Sequence, residues 1–186
     1  MKHVLPLLFV VAACADSIEP DHPSNGFDAA VGTDDAPAAT GRFQTTRGGD
    51  GTSTTLVDAT SQTEWTYGDF TLGTEVAETA PWDLRFQRFH ISTGKTGNQV
   101  AIITGTSFAA VTTAPTTGWI ADDDAMFALD QGESWYDYNG ETHVLTPKPI
   151  VYAVKLHGGG TIKMEIQKYY NSVGTAAMFL LHWAPL

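Results

Sequence analysis

Residues 136–171 read YDYNGETHVLTPKPIVYAVKLHGGGTIKMEIQKYYN, and this stretch decides the fold. Ile150, Tyr152, Val154 and Leu156 alternate with smaller or polar residues, as do Ile162, Met164 and Ile166. That period of two is the signature of half-buried β-strands. Gly158-Gly159-Gly160 separates the two runs, and glycine takes positive φ without steric cost, so the pair reads as a hairpin. Pro147 and Pro149 cannot donate to a ladder and belong to the approach of the first strand. His143 then lies in a connection just outside the sheet.

Outward from the hairpin, short strand-like runs recur between Gly, Pro, Asn and Asp. They are Thr52 to Ala59, Glu64 to Phe70, Trp82 to Ile91, Gln99 to Thr104, Ser134 to Tyr138, Ile150 to Leu156, Thr161 to Tyr170 and Thr175 to Trp183. No long helical stripe interrupts them, which predicts a single all-β antiparallel domain over residues 52–186. In the last run Ala177, Phe179, Leu181 and Trp183 share one face, while Ala176, Met178, Leu180 and His182 share the other, which predicts a central strand. The apolar phase slips between Phe86 and Phe89, and a β-bulge near Gln87-Arg88 accounts for it. One helical turn is expected from Asp123 to Leu129, capped by Asp122 or Asp123.

The N-terminus has a different character. Lys2 and His3 precede an apolar run from Val4 to Val11, the layout of a secretory signal peptide over residues 1–13. Val11-Ala12-Ala13-Cys14 looks like a bacterial lipobox, which predicts lipid on Cys14; the alternative is an ordinary signal peptide with an incidental cysteine. One acyl chain anchors weakly, so a stable tether needs several. From Ala15 to Gly51 the chain holds seven acids, two arginines and almost no apolar periodicity, so residues 14–51 read as a lipidated, disordered linker. Cys14 is the sole cysteine, which rules out an internal disulfide and leaves stability to the core. The formal charge of −11 argues against a nucleic-acid partner, whose phosphates call for basic patches.

Three sets of residues carry a resemblance. The first is Thr142-His143-Val144-Leu145-Thr146-Pro147 with Val151-Tyr152 and Tyr169-Tyr170; the second is Trp82-Asp83-Leu84-Arg85-Phe86-Gln87-Arg88-Phe89; the third runs from Gly105-Thr106-Ser107-Phe108 to Pro115. In this order they resemble the HmuY-like family of bacterial haem-binding lipoproteins, over roughly residues 52 to 186. The resemblance implies a β domain that binds haem without catalysis, for haem and iron acquisition. It also implies an outer-membrane lipid anchor on the surface or periplasmic face, and an outer-membrane haem receptor as partner.

The resemblance further implies axial ligands on the loops between the Trp-Asp strand and the hairpin, two histidines in some members and methionines in others. Between Ile91 and Tyr152 this chain offers His143 and Met126, and they are the expected pair, with His90 the alternative. Trp119, Trp135, Tyr136 and Tyr138 are candidates to line the macrocycle, and Arg85, Arg88 or Lys148 to meet its propionates. The ordinary roles compete with these: Met126 as core filler, His143 as a turn residue, aromatics as β-core.

Other chemistries fail on spacing. His157-Gly158-Gly159-Gly160 resembles an oxyanion loop, but no Gly-x-Ser-x-Gly supplies a nucleophile, and a hairpin tip explains it. Asp122-Asp123-Asp124 lacks the alternation of a calcium loop. The rival reading is a lipoprotein of the same fold that has lost haem and binds a protein, peptide or glycan, favoured by the missing second histidine.

Overall fold

The computed structural model describes residues 41–94, 97–131 and 133–186. The expected signal peptide, Cys14 and the linker up to residue 40 lie outside the described residues. The rest belongs to one compact unit, Pro37–Leu186.

The described residues contain thirteen strands. The first six are β1 (Phe43–Arg47), β2 (Ser53–Asp58), β3 (Thr66–Asp69), β4 (Thr74–Glu75), β5 (Leu84–Gln87) and β6 (His90–Ser92). Then come β7 (Gln99–Ile103), β8 (Trp119–Ile120), β9 (Tyr136–Asn139), β10 (Val144–Pro147), β11 (Val151–Lys155), β12 (Thr161–Tyr170) and β13 (Ala176–Pro185). Eleven of them form one antiparallel sheet in the order β6-β5-β3-β4-β1-β2-β13-β12-β11-β7-β8, and β9 and β10 form a separate hairpin. The fold is all-β, as the sequence predicts.

The sheet curls. Asn98 beside β7 donates to the carbonyls of Trp82 and Asp83 ahead of β5 (2.7 and 3.0 Å), although β5 and β7 stand near opposite ends of the strand order. The curl encloses a core in which Phe43 meets Phe70 edge-on, Phe70 meets Trp183, and Phe86 and Trp135 both meet Phe179. Each such ring, fully buried, contributes roughly 1.5–3 kcal/mol. β13 lies between β2 and β12, with Ala177, Phe179, Leu181 and Trp183 buried, so its expected central place holds. The glycine hairpin also forms as read, with Gly159 and Gly160 at φ 90° and 84°.

Gly68 in β3 faces the Phe43 ring so closely that an added Cβ would overlap its edge. Gly68→Ala is therefore expected to lower stability by about 1–3 kcal/mol, seen as a lower denaturant midpoint with unchanged slope. An unaltered midpoint would mean the ring can move aside freely.

Three expectations need correction. The domain begins before residue 52, because β1 pairs with β2 from Phe43↔Val57 to Arg47↔Ser53 and buries Phe43 to 1% exposure. Residues 82–91 are not one bulged strand: β5 and β6 form a tight hairpin in which Gln87 pairs with His90. Arg88, at φ 54°, and Phe89 make the turn, so Phe86 and Ile91 face each other and both are buried. The phase slip is the reversal of the chain. The helical turn shrinks to three 3₁₀ residues, Ala128–Asp130, whose first N–H goes to Asp122 Oδ1 at 2.8 Å.

Candidate functional site

The β9–β10 hairpin presents His143. Tyr136 pairs with Pro147 and Tyr138 with Leu145, so both tyrosines point to one face. Asn139 organises the turn: its side-chain oxygen accepts from Glu141 N and Thr142 N (2.9 and 3.1 Å), and its carbonyl accepts from His143 N at 2.8 Å. His143 closes the turn at φ 57°, a left-handed conformation that histidine adopts more readily than most residues. Its ring is exposed and its Nδ1 meets the Tyr138 hydroxyl at 2.5 Å. Leu145 N donates to the hydroxyl of Tyr170 in β12 (3.1 Å), which moors the hairpin to the main sheet, and Lys148 N donates to the Trp135 carbonyl (2.8 Å), which adds a rung to the hairpin itself.

Trp135 does not line a surface. It is 1% exposed, packs on Tyr169 and Phe179 at 5.4 Å, and donates from Nε1 to the Phe89 carbonyl at 3.0 Å. Its place as a lining candidate is corrected: it is the peg that fixes the Arg88-Phe89 turn against β9, because an indole in the core contributes more by burial than by stacking on a ligand.

The second wall comes from the loop before the 3₁₀ turn. Asp122 holds that loop to the end of β6, accepting from Ser92 Oγ, Thr93 N, Thr93 Oγ1 and Gly94 N as well as Ala128 N. Asp123 Oδ1 takes Ala125 N and Met126 N (2.8 and 2.7 Å). These bonds give both aspartates structural roles in place of a calcium loop, and they leave Met126 pointing outward at 45% exposure. Phe127 beside it packs on His90 (5.0 Å) and on Trp65 (5.4 Å). His90 stacks on Phe89 at 4.1 Å and places Nδ1 3.2 Å from Asp130 Oδ2. Burial pushes the Asp130 carboxyl above the usual range, partly offset by His90.

A series of ring contacts thus runs from Phe127 through His90 and Phe89 to Tyr136, which shares a strand with Tyr138 and so leads to His143. Among the described residues, the exposed large apolar side chains are Leu56, Leu72, Phe89, Met126, Tyr138, Val144 and Val173. Three of these, Phe89, Met126 and Tyr138, lie on or beside that series, whereas Val144 pairs with Asn139 and faces the other side of the hairpin. His143 and Met126 rise from separate loops at its two ends. Phe89 and Val144 were missed as surface residues in the sequence; the phase slip at Phe89 was the one signal available.

Of the cations, Arg85 is withdrawn, bonded to Ser92 Oγ at 2.9 Å with its guanidinium 4.3 Å over Trp65. Arg88 donates to the Thr60 carbonyl (3.1 Å). Lys148, just after β10, holds looser ion pairs with Glu133 and Asp137 at 3.5 and 3.7 Å. Trp119 lies on edge strand β8 under the Lys155 ammonium, away from this surface. Two buried hydroxyls, Ser134 Oγ and Tyr152 Oη, have no hydrogen-bond partner among the described residues, and burial raises the Tyr152 phenol far above its usual range.

The family model for the HmuY protein matches residues 61–182, and the chain belongs to that family. Solved structures agree on the fold. A candidate HmuY-like haem-binding protein from Bacteroides vulgatus superposes with TM-score 0.62 at 20% identity, covering 77% of this chain and 97% of that one. A candidate lipoprotein from Bacteroides fragilis gives TM-score 0.61 at 17% identity, covering 77% and 96%. The apo HmuY analog of Tannerella forsythia gives 0.59 at 16%, covering 71% and 94%. No curated protein matches the chain.

Proposed function

We propose that this protein is a haem carrier that binds the macrocycle non-catalytically on the surface between the β9–β10 turn and the Met126 loop. The carrying observation is the coincidence of an exposed imidazole, His143, with the exposed side chains of Phe89, Met126 and Tyr138. A porphyrin needs just this combination, a nitrogen or sulfur donor for iron and flat apolar contact for the ring. When bound, haem supplies an iron centre that takes axial donors and is passed on. His143 can donate from Nε2 in the tautomer whose Nδ1–H is given to the Tyr138 oxygen, so Tyr138 sets the ring's orientation. Met126 is the second donor in this reading, and His90, whose Nδ1 is turned to Asp130, is the alternative. Tyr136 and Phe89 supply apolar contact. Lys148 is the cation best placed to exchange its surface carboxylates for a propionate, since such pairs are weak.

The same proposal places the domain on a lipidated Cys14 behind a cleaved signal peptide, at the outer membrane, delivering haem to a membrane receptor. Among the described residues no helix is long and apolar enough to cross a membrane, in keeping with attachment by lipid. The open form of the apolar surface favours one rival, a partner protein, peptide or glycan in place of haem.

The test is a haem titration of the chain lacking residues 1–14. A sharp Soret band saturating at one equivalent is expected. A broad, non-saturating spectrum would overturn the proposal and leave the rival.

A further inference from the structure

Away from that surface, the glycine turn after β11 brings His157 against two aspartates, Asp83 just ahead of β5 and Asp69 at the end of β3. Asp83 is fully buried: Oδ2 accepts from Phe70 N at 2.8 Å, and Oδ1 accepts from His157 N at 2.8 Å and lies 2.9 Å from His157 Nδ1. A carboxylate only accepts, so the proton of this bond sits on Nδ1, and in the neutral form of the ring Nε2 carries a lone pair. Opposite Nε2, at 4.0 Å, stands Oδ2 of Asp69, whose side chain is 5% exposed. Asp69 Oδ1 is taken by Leu72 N at 2.9 Å, which leaves Oδ2 turned to His157 Nε2. With the imidazole neutral, two lone pairs face each other across a gap too long for a hydrogen bond, on a carboxylate side chain that is 5% exposed.

We propose that His157 Nε2 and Asp69 Oδ2 bind a divalent transition-metal ion, with Asp83 as the positioning residue behind the imidazole. Metal–nitrogen and metal–oxygen bonds of about 2.0–2.2 Å each span a 4 Å gap, and half an ångström of closure would reach a tetrahedral angle. One ligand atom from each of the three side chains lies within 4.8 Å of the other two. A ligating histidine that gives its other N–H to a carboxylate is the usual outer-shell arrangement of such sites. Charge argues the same way: two carboxylates and a neutral imidazole leave net negative charge in a buried place, which a dication offsets. The imidazole selects zinc, nickel or copper over calcium and magnesium. His157 keeps 26% of its side chain exposed and borders two open clefts, one beside Asn98 and one beside Leu72, so an ion and its remaining water ligands have access.

The site is independent of the haem surface, and the test uses zinc alone. The full-length chain in detergent, stripped with EDTA, is titrated with Zn²⁺ by calorimetry, and its melting temperature is read with and without zinc. The wild type is expected to bind zinc and melt higher with it. Asp69→Asn keeps an oxygen for Leu72 N and should fold, yet lose at least about tenfold in affinity along with the zinc-dependent rise. Asp83→Asn should weaken binding by about 10–100-fold through loss of orientation. Equal zinc affinity and equal melting rise in the wild type and Asp69→Asn would overturn the proposal, as would no zinc uptake by the wild type, which leaves His157 a protonated bridge between two carboxylates.

Discussion

A chain beginning at Thr52 is expected to lose its cooperative unfolding transition, while one beginning at Pro37 keeps it. The shorter chain lacks β1, which sits between β4 and β2 in the sheet. It loses the Phe43 ring from the packing of Phe70 and Phe86, and the Arg42–Glu75 pair, in which Nη2 and Nε both reach Glu75 Oε1 (2.7 and 2.9 Å). It also leaves β2 as a bare edge. Phe43→Ala isolates the core part. A buried phenylalanine cut to alanine costs about 3–5 kcal/mol, a large share of the roughly 5–15 kcal/mol that holds a domain together. At about 2–4 °C per kcal/mol, its melting temperature should fall by roughly 6–20 °C. Equal melting of Phe43→Ala and the wild type would mean that β1 is an ornament on the sheet.

Asp122→Ala should be nearly as costly for a different reason. Five donors converge on this carboxylate, from Ser92, Thr93, Gly94 and Ala128; alanine takes the acceptor from all five and leaves a second one only to Thr93 Oγ1 (the Gly94 carbonyl) and Gly94 N (Ser92 Oγ). Orphaned donors cost about 1–3 kcal/mol each where water cannot replace the partner, and with Asp122 only partly buried the total should be about 3–5 kcal/mol. The loss is also directional. The same bonds fix the loop carrying Met126 and Phe127, so amide hydrogen exchange should speed up over residues 121–130 before the central strands respond. Uniform acceleration across the sheet, with no lead in that loop, would show that Asp122 does not act as a local tie.

The fold was legible where alternation ran long enough to declare itself. The β11–β12 hairpin and β13 carry their pattern over five to ten residues each, with glycines marking the turn. β1 was not, because FQTTR holds one core residue, and its partner in the core, Phe70, is distant in sequence. The β5–β6 reversal was hidden because its turn is Arg88-Phe89, without the glycine or asparagine that usually announces one.

At the candidate site, Thr142-His143 followed by Pro147 was enough to place His143 on an exposed turn. The fate of Trp135 was not readable, since an indole next to two tyrosines suits a surface platform and a core peg equally, and only the packing of Tyr169 and Phe179 decides. His157 shows the converse. A histidine at a glycine tip reads as solvent-exposed, and it is, but no sequence signal showed that the curl of the sheet brings Asp83 to its Nδ1 from 74 positions away.

The most direct measurement of the central claim is the haem dissociation constant of His143→Ala beside that of the wild type, both lacking residues 1–14. Because His143 is an exposed turn residue whose ring, among the described residues, bonds Tyr138, alanine there should cost no more than the roughly 1–2 kcal/mol of its left-handed φ and leave the domain folded. The haem-carrier account predicts at least about tenfold weaker binding and a displaced Soret maximum, since an axial donor to iron has gone. Equal affinity and an identical spectrum in the two proteins would contradict it.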